Sequence, residues 1–457
     1  MWSVEFYFRF HIRGSFYGVK RIINSTPHST LHTPHFSSFL EVSMKKAFAL
    51  FLFLLLLSCV PALAEEAQDL TSQCKITVSS QSKRLARMTD RDFLTAYVGD
   101  KQKNPSVEIA APKGQPIYGV YVCFGGKLYP WVLEAKQNGK WVGVYQSEGA
   151  FAHEYAPLPE GASDVRVRLN TDKQAVLAIN ELYAYGEGET PATVQQWLPG
   201  PEKADLLVLS GHPDDEILFF GGTIPYYAGE RNMKVVVAYL TAGNMSDLIK
   251  NDRGTARRSE LLNGLWEMGL KYYPEIYDFW DKYSKNLESG YEAVGKKKVQ
   301  ETMVELLRRY KPEVVVTHDV NGEYGHGIHR VCADVMMHCI PSAAEAANYA
   351  ASAQQYGAWQ VKKLYLHMYN QNVIEMDWDQ PLSAFGGRTG YQVAEDAYQW
   401  HVSQHEAGQK NPDTGKFEYF IVEPRESKYS CYRYGLAYST VGYDVNGNDF
   451  FENIPGY

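Results

Sequence analysis

The chain has 457 residues, of which 45% are apolar and 21% charged, and its formal net charge at pH 7 is −8. This composition excludes an intrinsically disordered chain, and the length suffices for two or three ordinary domains. Because the charge balance is acidic and no run of lysine and arginine stands out, nucleic acid is excluded as a partner.

The chain opens with a segment that we expect to be a start-site artefact, because residues 1–43 are rich in aromatic residues, His, Ser and Thr without periodicity. A basic start at Met44–Lys46, an apolar run and the small-residue sequence Ala62–Ala64 follow. This order is typical of a signal peptide over residues 44–64 and predicts a secreted or cell-surface protein. A membrane anchor and lipid attachment at Cys59 are the less favoured alternatives.

Five further cysteines are scattered along the chain without a C-x-x-C pair, which excludes a zinc–thiolate site. In an exported protein Cys74 and Cys123 could form a disulfide, and the sequence leaves this open.

Residues 65–188 read as β structure. Short strand-like runs are bounded by Gly, Pro, Asn or Asp, and no helical period lies between them. This spacing predicts a β-sandwich or jelly roll. The runs are Ser106–Ala110, Ile117–Phe124, Trp141–Tyr145, Val165–Leu169 and Ala178–Tyr185.

Three segments of this region resemble the discoidin-like (F5/8 type C, galactose-binding-like) fold. Leu85–Asp92 is similar to its early turn, Ile117–Phe124 to its central strand, and Asn180–Gly186 to its closing strand. Arg91 stands where that family usually has Gly. The resemblance implies attachment to carbohydrate or a cell surface through this domain.

A Gly- and Pro-rich linker at 189–202 leads into a region, 203–457, where strand and helix patterns alternate. Such alternation predicts an α/β fold with a Rossmann-like, doubly wound parallel sheet. The predicted strands are Ala204–Ser210, Lys234–Leu240, Glu313–Thr317 and Lys363–His367. The predicted helices are Glu216–Gly229, Thr255–Met268, Lys298–Tyr310, Arg330–His338 and Tyr391–His405.

Two motifs rich in potential metal ligands follow predicted strands. Gly211–Glu216 reads GHPDDE directly after the first strand, and Gly322–His329 reads GEYGHGIH just past the third. Open α/β sheets bind ligands at the carboxyl ends of their strands, so we expect these side chains to meet. Two imidazoles and a carboxylate, with a fourth position left to water, are typical of a catalytic zinc site. Fe²⁺, Co²⁺ and Mn²⁺ are alternatives that accept the same ligands.

The two motifs resemble the signatures of the LmbE/PIG-L N-acetylglucosaminyl deacetylase family. The resemblance extends to Arg257 and Glu260 in an R-x-x-E helix, to Thr241–Gly243, and to a helix ending in H-x-S-Q at His401–Gln404. It covers roughly residues 203–410. Gly327-Ile328 replaces a Pro-Asp pair that is common in relatives.

The resemblance implies a role for each matching residue. His212, Asp215 and His329 would hold one Zn²⁺ per chain, and Asp214 would be the general base that activates a water molecule. The remaining roles concern the substrate. His326 would stabilise the oxyanion or protonate the leaving amine, Tyr324 would assist at the oxyanion, and Arg257 would contact the substrate. Asp281 in a specificity loop is a further candidate for a sugar-hydroxyl contact.

These features predict a secreted, zinc-dependent deacetylase acting on an N-acetylated glycan or glycoconjugate of the GlcNAc type. The alternative is a carbohydrate-binding, adhesive surface protein with an inactive hydrolase domain. A deacetylase acting on a non-sugar amide is a third hypothesis.

Overall fold

The computed structural model describes residues 65–81, 83–243, 252–280, 283–407, 409–410, 417–418 and 428–457. Its amino-terminal part is built from eleven strands: β1 (Lys75–Val78), β2 (Tyr97–Val98), β3 (Gln102–Lys103), β4 (Ser106–Ala110), β5 (Ile117–Phe124), β6 (Trp131–Gln137), β7 (Lys140–Ser147), β8 (His153–Ala162), β9 (Asp164–Leu169), β10 (Gln174–Ala175) and β11 (Ala178–Tyr185). Short 3₁₀ turns lie at Thr71–Gln73 and Leu85–Met88.

The two larger sheets of this part form a sandwich. One has the order β1-β4-β9-β6-β7 and the other β2-β11-β5-β8, and every pairing is antiparallel. Burial alternates along β9, as it must where one face of a strand packs on the core. The predicted sandwich is confirmed, although β1, β2, β6 and β8 of these two sheets were not predicted.

Arg91 shows how the sandwich tolerates a departure from glycine in its early turn. Its φ is +62°, a left-handed conformation that side chains seldom adopt. The guanidinium pairs with Asp69 at 2.6 Å and Glu181 at 3.0 Å, and its carbon lies 3.7 Å from the centre of the Tyr183 ring. These contacts offset the backbone strain.

The carboxyl-terminal part contains the remaining strands: β12 (Leu206–Ser210), β13 (Val235–Thr241), β14 (Glu275–Phe279), β15 (Val314–Thr317), β16 (Lys363–His367), β17 (Val373–Glu375), β18 (Gln409–Lys410), β19 (Phe417–Glu418) and β20 (Arg433–Ser439). Its α-helices are α1 (Asp215–Leu218), α2 (Asp252–Glu267), α3 (Leu287–Val294), α4 (Lys296–Tyr310), α5 (Gly327–Ala344), α6 (Ala350–Tyr356) and α7 (Gly390–Tyr398). Shorter helical segments are a π-helix at Pro225–Glu230 and 3₁₀ turns at Glu323–Gly325, Ser383–Phe385 and Val402–Ala407.

A seven-stranded sheet of order β14-β13-β12-β15-β16-β20-β17 organises this part. The strands from β14 to β16 are parallel, whereas β20 runs antiparallel to both its neighbours. The predicted α/β fold with a parallel sheet, preceded by a sandwich, is confirmed, and the antiparallel strand β20 is an addition that was not predicted. The chain runs outward from β12 to β14 and then returns to β15 on the other side of β12. The strand order therefore reverses between β12 and β15, where such sheets place their ligands.

The prediction of one helix over Glu216–Gly229 is wrong. Helix α1 ends at Leu218, and the π-helix starts only at Pro225. Gly222 lies between them, and a Cβ there would come within 2.2 Å of the Trp378 ring. Tertiary packing against Trp378 thus outweighs the local helical pattern. The predicted helix Tyr391–His405 is likewise divided, into α7 and a 3₁₀ segment.

The sandwich and the α/β part lie in one compact unit, Ala64–Tyr457, and α2 carries much of their contact. Arg258 on this helix is buried and donates hydrogen bonds to the carbonyls of Phe124 and Gly126 at the end of β5. Ala152 N–H donates to the Tyr273 hydroxyl at 3.2 Å. Helix α2 is therefore held by the sandwich.

Two further predictions concern the thiols and the leader. Cys74 and Cys123 are both free thiols, so the disulfide left open by the sequence is not formed. The predicted signal peptide lies outside the described residues. Within the part of the chain that the structure describes, no helix has the length and hydrophobicity of a membrane span.

Candidate metal centre

The loop that follows β12 brings His212 and Asp215 together. Asp215 Oδ2 accepts a hydrogen bond from the His212 backbone N–H at 2.8 Å and lies 3.1 Å from His212 Nδ1. Gly211 makes this tight turn possible, because a Cβ there would come within 3.0 Å of the His329 ring and 3.1 Å of Asp215 Oδ2. Any larger residue would push the two motifs apart.

His329 completes the cluster. It lies on α5, the helix that follows the neighbouring strand β15. Its Nε2 lies 3.2 Å from Asp215 Oδ2 and 3.2 Å from His212 Nδ1. The side chains of Asp215 and His329 are almost wholly buried, whereas His212 is partly exposed. The structure thus brings together the three predicted metal ligands, although His329 stands more than a hundred residues from the other two.

These three atoms fit one metal ion. Zinc bonds to nitrogen and oxygen of roughly 2.0–2.2 Å in a tetrahedral site place two ligands about 3.3 Å apart, which is close to the separations here. Burial alone would raise the pKa of Asp215, but the His329 and His212 imidazoles outweigh it and hold that pKa well below its ordinary value. An ionised carboxylate among converging imidazole nitrogens is a donor set suited to a divalent cation.

Two further groups also cluster closely enough for one ion: His212, His326 and His329, and Asp215, His318 and His329. His318 Nε2, however, already accepts the Gly211 backbone N–H at 2.9 Å. Because that N–H can only donate, the ring hydrogen of a neutral His318 must lie on Nδ1, which is 2.8 Å from Glu323 Oε2. His318 therefore fixes the loop and is not a ligand.

Glu323 is the centre of a buried network that the sequence did not reveal. Its Oε2 lies 2.8 Å from both His318 Nδ1 and His329 Nδ1, and its Oε1 lies 2.6 Å from His367 Nδ1. All four side chains are fully buried. Burial alone would raise the pKa of Glu323, but His318 and the other imidazoles hold it well below its ordinary value. A carboxylate behind a ligating histidine orients the ring and strengthens its electron donation.

His367, at the end of β16, is the third imidazole around Glu323. Its Nε2 lies 2.8 Å from the Ser430 carbonyl, and its Nδ1 lies 2.6 Å from Glu323 Oε1. His367 therefore links the buried carboxylate to the backbone at Ser430.

Asp214, the predicted general base, occupies a strained position between the two ligands of its loop. Its φ is +126°, and its side chain does not cap α1. Its N–H donates to Glu216 Oε2 at 2.8 Å, which holds the backbone in place. Burial raises the pKa of the Asp214 carboxyl to about 6, although Arg257 opposes the rise.

Arg257, predicted to contact substrate, lies against the same loop. Its guanidinium donates to the Pro213 carbonyl and lies 3.7 Å from Asp214 Oδ1. The structure thus gives Arg257 a positioning contact with the loop. The other predicted substrate contact, Asp281, lies outside the described residues.

His326 and Tyr324 stand beside the cluster. The His326 ring centre lies 4.7 Å from that of His212 and 4.8 Å from that of His329. Its Nδ1 accepts the Ile328 N–H at the start of α5, so the ring hydrogen of a neutral His326 lies on Nε2. Tyr324 is half-exposed, its φ is +45°, and its ring packs edge-on against His329.

The residues of the R-x-x-E and H-x-S-Q patterns support this loop from behind. His401 Nε2 lies 3.3 Å from Glu216 Oε1, and both side chains are fully buried. Glu260 accepts hydrogen bonds from the Ser403 N–H at 2.7 Å and from its hydroxyl at 2.6 Å. The sequence pointed to these residues only through their match to the two family patterns. It does not reveal what the side chains contact.

An exposed aromatic side chain lies beside the centre. Tyr283 is 64% exposed, and its ring lies 5.2 Å from that of His326. This residue was not singled out from the sequence, because only its exposure beside the cluster distinguishes it.

Comparison with known proteins finds a family model that matches one segment of the chain. Residues 207–340 match the family model described as "PIG-L: GlcNAc-PI de-N-acetylase". This segment contains the metal cluster, Asp214, Glu323 and His318, whereas His367 lies beyond it.

Residues 207–340 form a PIG-L domain.

The PIG-L domain has a similar counterpart in the 1D-myo-inositol 2-acetamido-2-deoxy-alpha-D-glucopyranoside deacetylase 1 of Frankia alni. The two are 26% identical over 200 residues, which cover 38% of this chain and 65% of that protein. The matched segment therefore spans less than two thirds of that relative.

Two solved structures have similar parts. The N,N'-diacetylchitobiose deacetylase from Pyrococcus horikoshii is 18% identical, over 45% of this chain and 72% of that one, with a TM-score of 0.34. The F5/8 type C domain of a Bacteroides fragilis protein is 14% identical, over 27% of this chain and 97% of that one, with a TM-score of 0.22.

Proposed function

We propose that the chain is a secreted, zinc-dependent deacetylase that removes the N-acetyl group from a GlcNAc-type sugar in a glycan or glycoconjugate. The observation that carries this proposal is the convergence of His212 Nδ1, Asp215 Oδ2 and His329 Nε2 to mutual distances of 3.1–3.2 Å. The PIG-L domain around this cluster and the name of its relative, a deacetylase of an acetamido sugar, support the reaction and the substrate class.

His212, Asp215 and His329 would hold a divalent cation, which would supply Lewis acidity for polarising an acetyl carbonyl and for lowering the pKa of a water molecule. Zinc is the ion that the two imidazoles and the carboxylate suit best, with Fe²⁺, Co²⁺ and Mn²⁺ as alternatives. Glu323 holds the His329 ring in the orientation that presents Nε2 to the site.

Asp214 takes the proton of the attacking water, because it adjoins a ligand and its carboxylate is not used as a helix cap. The Tyr324 hydroxyl and the hydrogen on His326 Nε2 stabilise the oxyanion as the carbonyl becomes tetrahedral. Asp214 then returns the proton it accepted from water to the amide nitrogen, the C–N bond breaks, and acetate and the amine leave, while His326 keeps the hydrogen on Nε2.

Two features favour a sugar substrate outside the cell. Exposed Tyr283 offers a flat apolar surface beside the centre, on which a pyranose ring can stack. The predicted signal peptide at 44–64 supports export. We further propose that the sandwich attaches the enzyme to carbohydrate.

An acetate-release assay tests the proposed function. The zinc-loaded full chain is incubated with N-acetylglucosamine, N,N'-diacetylchitobiose and longer N-acetylated glycans, with Asp214→Asn as the matched inactive control. We expect release by the wild-type chain alone. Equal release by both proteins, or none from any glycan by a protein with stoichiometric zinc, would contradict the proposal.

A further inference from the structure

A cavity of about 230 Å³ lies where the sandwich meets the α/β part, and it shares no lining residue with the metal centre. Six aromatic side chains form its walls: Phe93, Tyr121, Tyr183, Tyr185, Trp266 and Trp400. Tyr121 and Tyr183 are cross-strand partners on the outer face of the smaller sandwich sheet, with ring centres 5.6 Å apart. The cavity is smaller than the roughly 300–1,000 Å³ of pockets for drug-sized ligands, so it fits a single ring.

A series of hydrogen bonds between uncharged side chains ends at this cavity. The Trp197 indole N–H donates to Gln195 Oε1 at 2.9 Å, and Gln195 Nε2 donates to Asn263 Oδ1 at 2.7 Å. Because an indole N–H can only donate, the orientation of both amides is fixed. Asn263 Nδ2 is then left without a hydrogen-bond partner among the described residues, although Asn263 is 94% buried and lines the cavity.

An unpaired buried donor is costly, and it indicates a ligand that brings an acceptor. Such a ligand must also offer apolar faces to the aromatic walls. A pyranose ring has both, since its C–H groups stack on aromatic rings and its hydroxyl or acetamido oxygens accept hydrogen bonds.

A cationic ligand is the other class that aromatic cages bind. Two observations disfavour it here. The cavity carboxylate, Glu267, is already paired with Arg388 at 3.1 Å. One face of Tyr183 is covered by the Arg91 guanidinium, whose positive charge would repel a second cation.

We propose that this cavity is a second carbohydrate site, which binds one pyranose ring between the aromatic walls while Asn263 Nδ2 donates to a ring oxygen substituent. The identity of the glycan rests on the proposed function, whereas the existence of the site does not. The site lies close to the catalytic machinery in the chain, since Asn263 shares α2 with Arg257, and Trp400 precedes His401. A glycan held here would therefore be anchored beside the enzyme's own active-site supports.

Calorimetric titration of the full, zinc-loaded Asp214→Asn chain tests the site without turnover. The probes are N-acetylglucosamine, N,N'-diacetylchitobiose, galactose and choline chloride. Thr193→Trp would block the cavity, because Thr193 is an exposed lining residue. Gln196→Trp is the matched control, because it adds the same side chain at an exposed neighbour that does not line the cavity.

A third variant, Asn263→Asp, keeps the acceptor for Gln195 and removes the unpaired donor. We expect saturable binding of at least one sugar, about tenfold weaker in Asn263→Asp, abolished by Thr193→Trp and unchanged in Gln196→Trp. Melting temperatures confirm that each variant is folded.

The proposal is overturned if none of the sugars binds, if Thr193→Trp binds as tightly as its parent, or if choline binds in preference to the sugars. Acetate release by the wild-type chain is measured separately. An enzyme that deacetylates but fails this titration keeps the proposed function and loses only the second site. A chain that binds sugar in the cavity but releases no acetate keeps the second site and loses the proposed function.

Discussion

The metal centre and the aromatic cavity are both lined by buried polar groups, but the hydrogen-bond networks behind them differ in charge. Behind the metal centre, Glu323 is surrounded by three imidazoles. Behind the cavity, neutral amides link Trp197 to Asn263. The ionic network directs electron pairs to one point, whereas the neutral network ends in an unpaired N–H.

This difference shows what each site lacks. Converging electron pairs are stable only around a cation, and an unpaired donor is satisfied only by an acceptor. The first site therefore fits a metal ion and the second a neutral oxygen. Four substitutions test this contrast, and two of them have a matched control variant. They are described from the largest expected effect to the smallest.

Asp215→Ala should abolish both metal binding and deacetylation. The substitution removes the carboxylate that lies 3.1–3.2 Å from both imidazole nitrogens. Elemental analysis after dialysis and an acetate-release assay measure the two losses. A variant that retains stoichiometric zinc would mean that the ligand set is different from the one inferred here.

Asp214→Asn should keep the metal and lower kcat by roughly a hundredfold to ten-thousandfold, the range expected when a general base is lost. Asparagine has nearly the same shape and tolerates positive φ. The neighbouring aspartates thus control for each other in the same two assays. Wild-type turnover in this variant would remove Asp214 from the mechanism.

Glu323→Gln should weaken metal binding by roughly 10- to 100-fold, because His329 loses the carboxylate that orients its ring. It should also lower the free energy of unfolding by about 3–5 kcal/mol, since three buried imidazoles lose the carboxylate that they share. Competition with a zinc chelator and urea unfolding measure these effects.

Glu216→Gln is the control for the Glu323 variant. Glu216 is equally buried, but it contacts His401 and the Asp214 backbone instead of a ligand. We expect it to lower turnover while zinc affinity stays near the wild-type value. Equal loss of zinc affinity in both variants would show that any buried carboxylate in this region acts alike.

The smallest expected effect belongs to His153→Gln. This substitution tests whether the hydrogen-bond network behind the cavity is uncharged. His153 Nδ1 lies 2.9 Å from Gln195 Oε1 and its Nε2 lies 3.2 Å from Ser259 Oγ. Burial lowers the pKa of His153 to about 3, far below the value of about 6.5 in an unfolded chain. Folding therefore requires the neutral ring, and stability falls as the pH drops below 6.5 towards 3.

Between pH 7 and 5.5 this linkage should lower the wild-type free energy of unfolding by about 1 kcal/mol more than that of His153→Gln. Urea unfolding at both pH values measures the difference. His338→Gln, at an exposed imidazole, should behave as the wild type does. Identical pH dependence in all three proteins would argue against a neutral buried His153.

Local patterns predicted the framework and the residues of the metal cluster. Apolar runs located β12 and β15, and the rule that ligands gather at strand ends placed His212, Asp215 and His329 together. The networks behind them were not predictable, because Glu323 and His367 are 44 residues apart and their meeting depends on the pairing of β15 with β16. The break after α1 was missed for a similar reason, since Trp378 lies far along the chain from Gly222.

The predicted linker is more buried than its composition indicates. Its Gly and Pro content predicted a boundary between domains, yet Val194, Gln195 and Trp197 are buried between the two parts. The Gly and Pro content of a segment indicates where its backbone can turn. Whether the segment is exposed to solvent is determined by its tertiary contacts.

The guanidinium of Arg258 donates hydrogen bonds to carbonyl groups of the sandwich and so couples the two parts of the molecule. A truncated version that starts near residue 203 would keep this buried cation and lose the oxygens that solvate it. Replacing the amino-terminal part by another module would therefore also require changes in α2, the helix from which Arg257 contacts the aspartate loop. A shortened chain should express poorly even though the residues of the metal centre are still encoded.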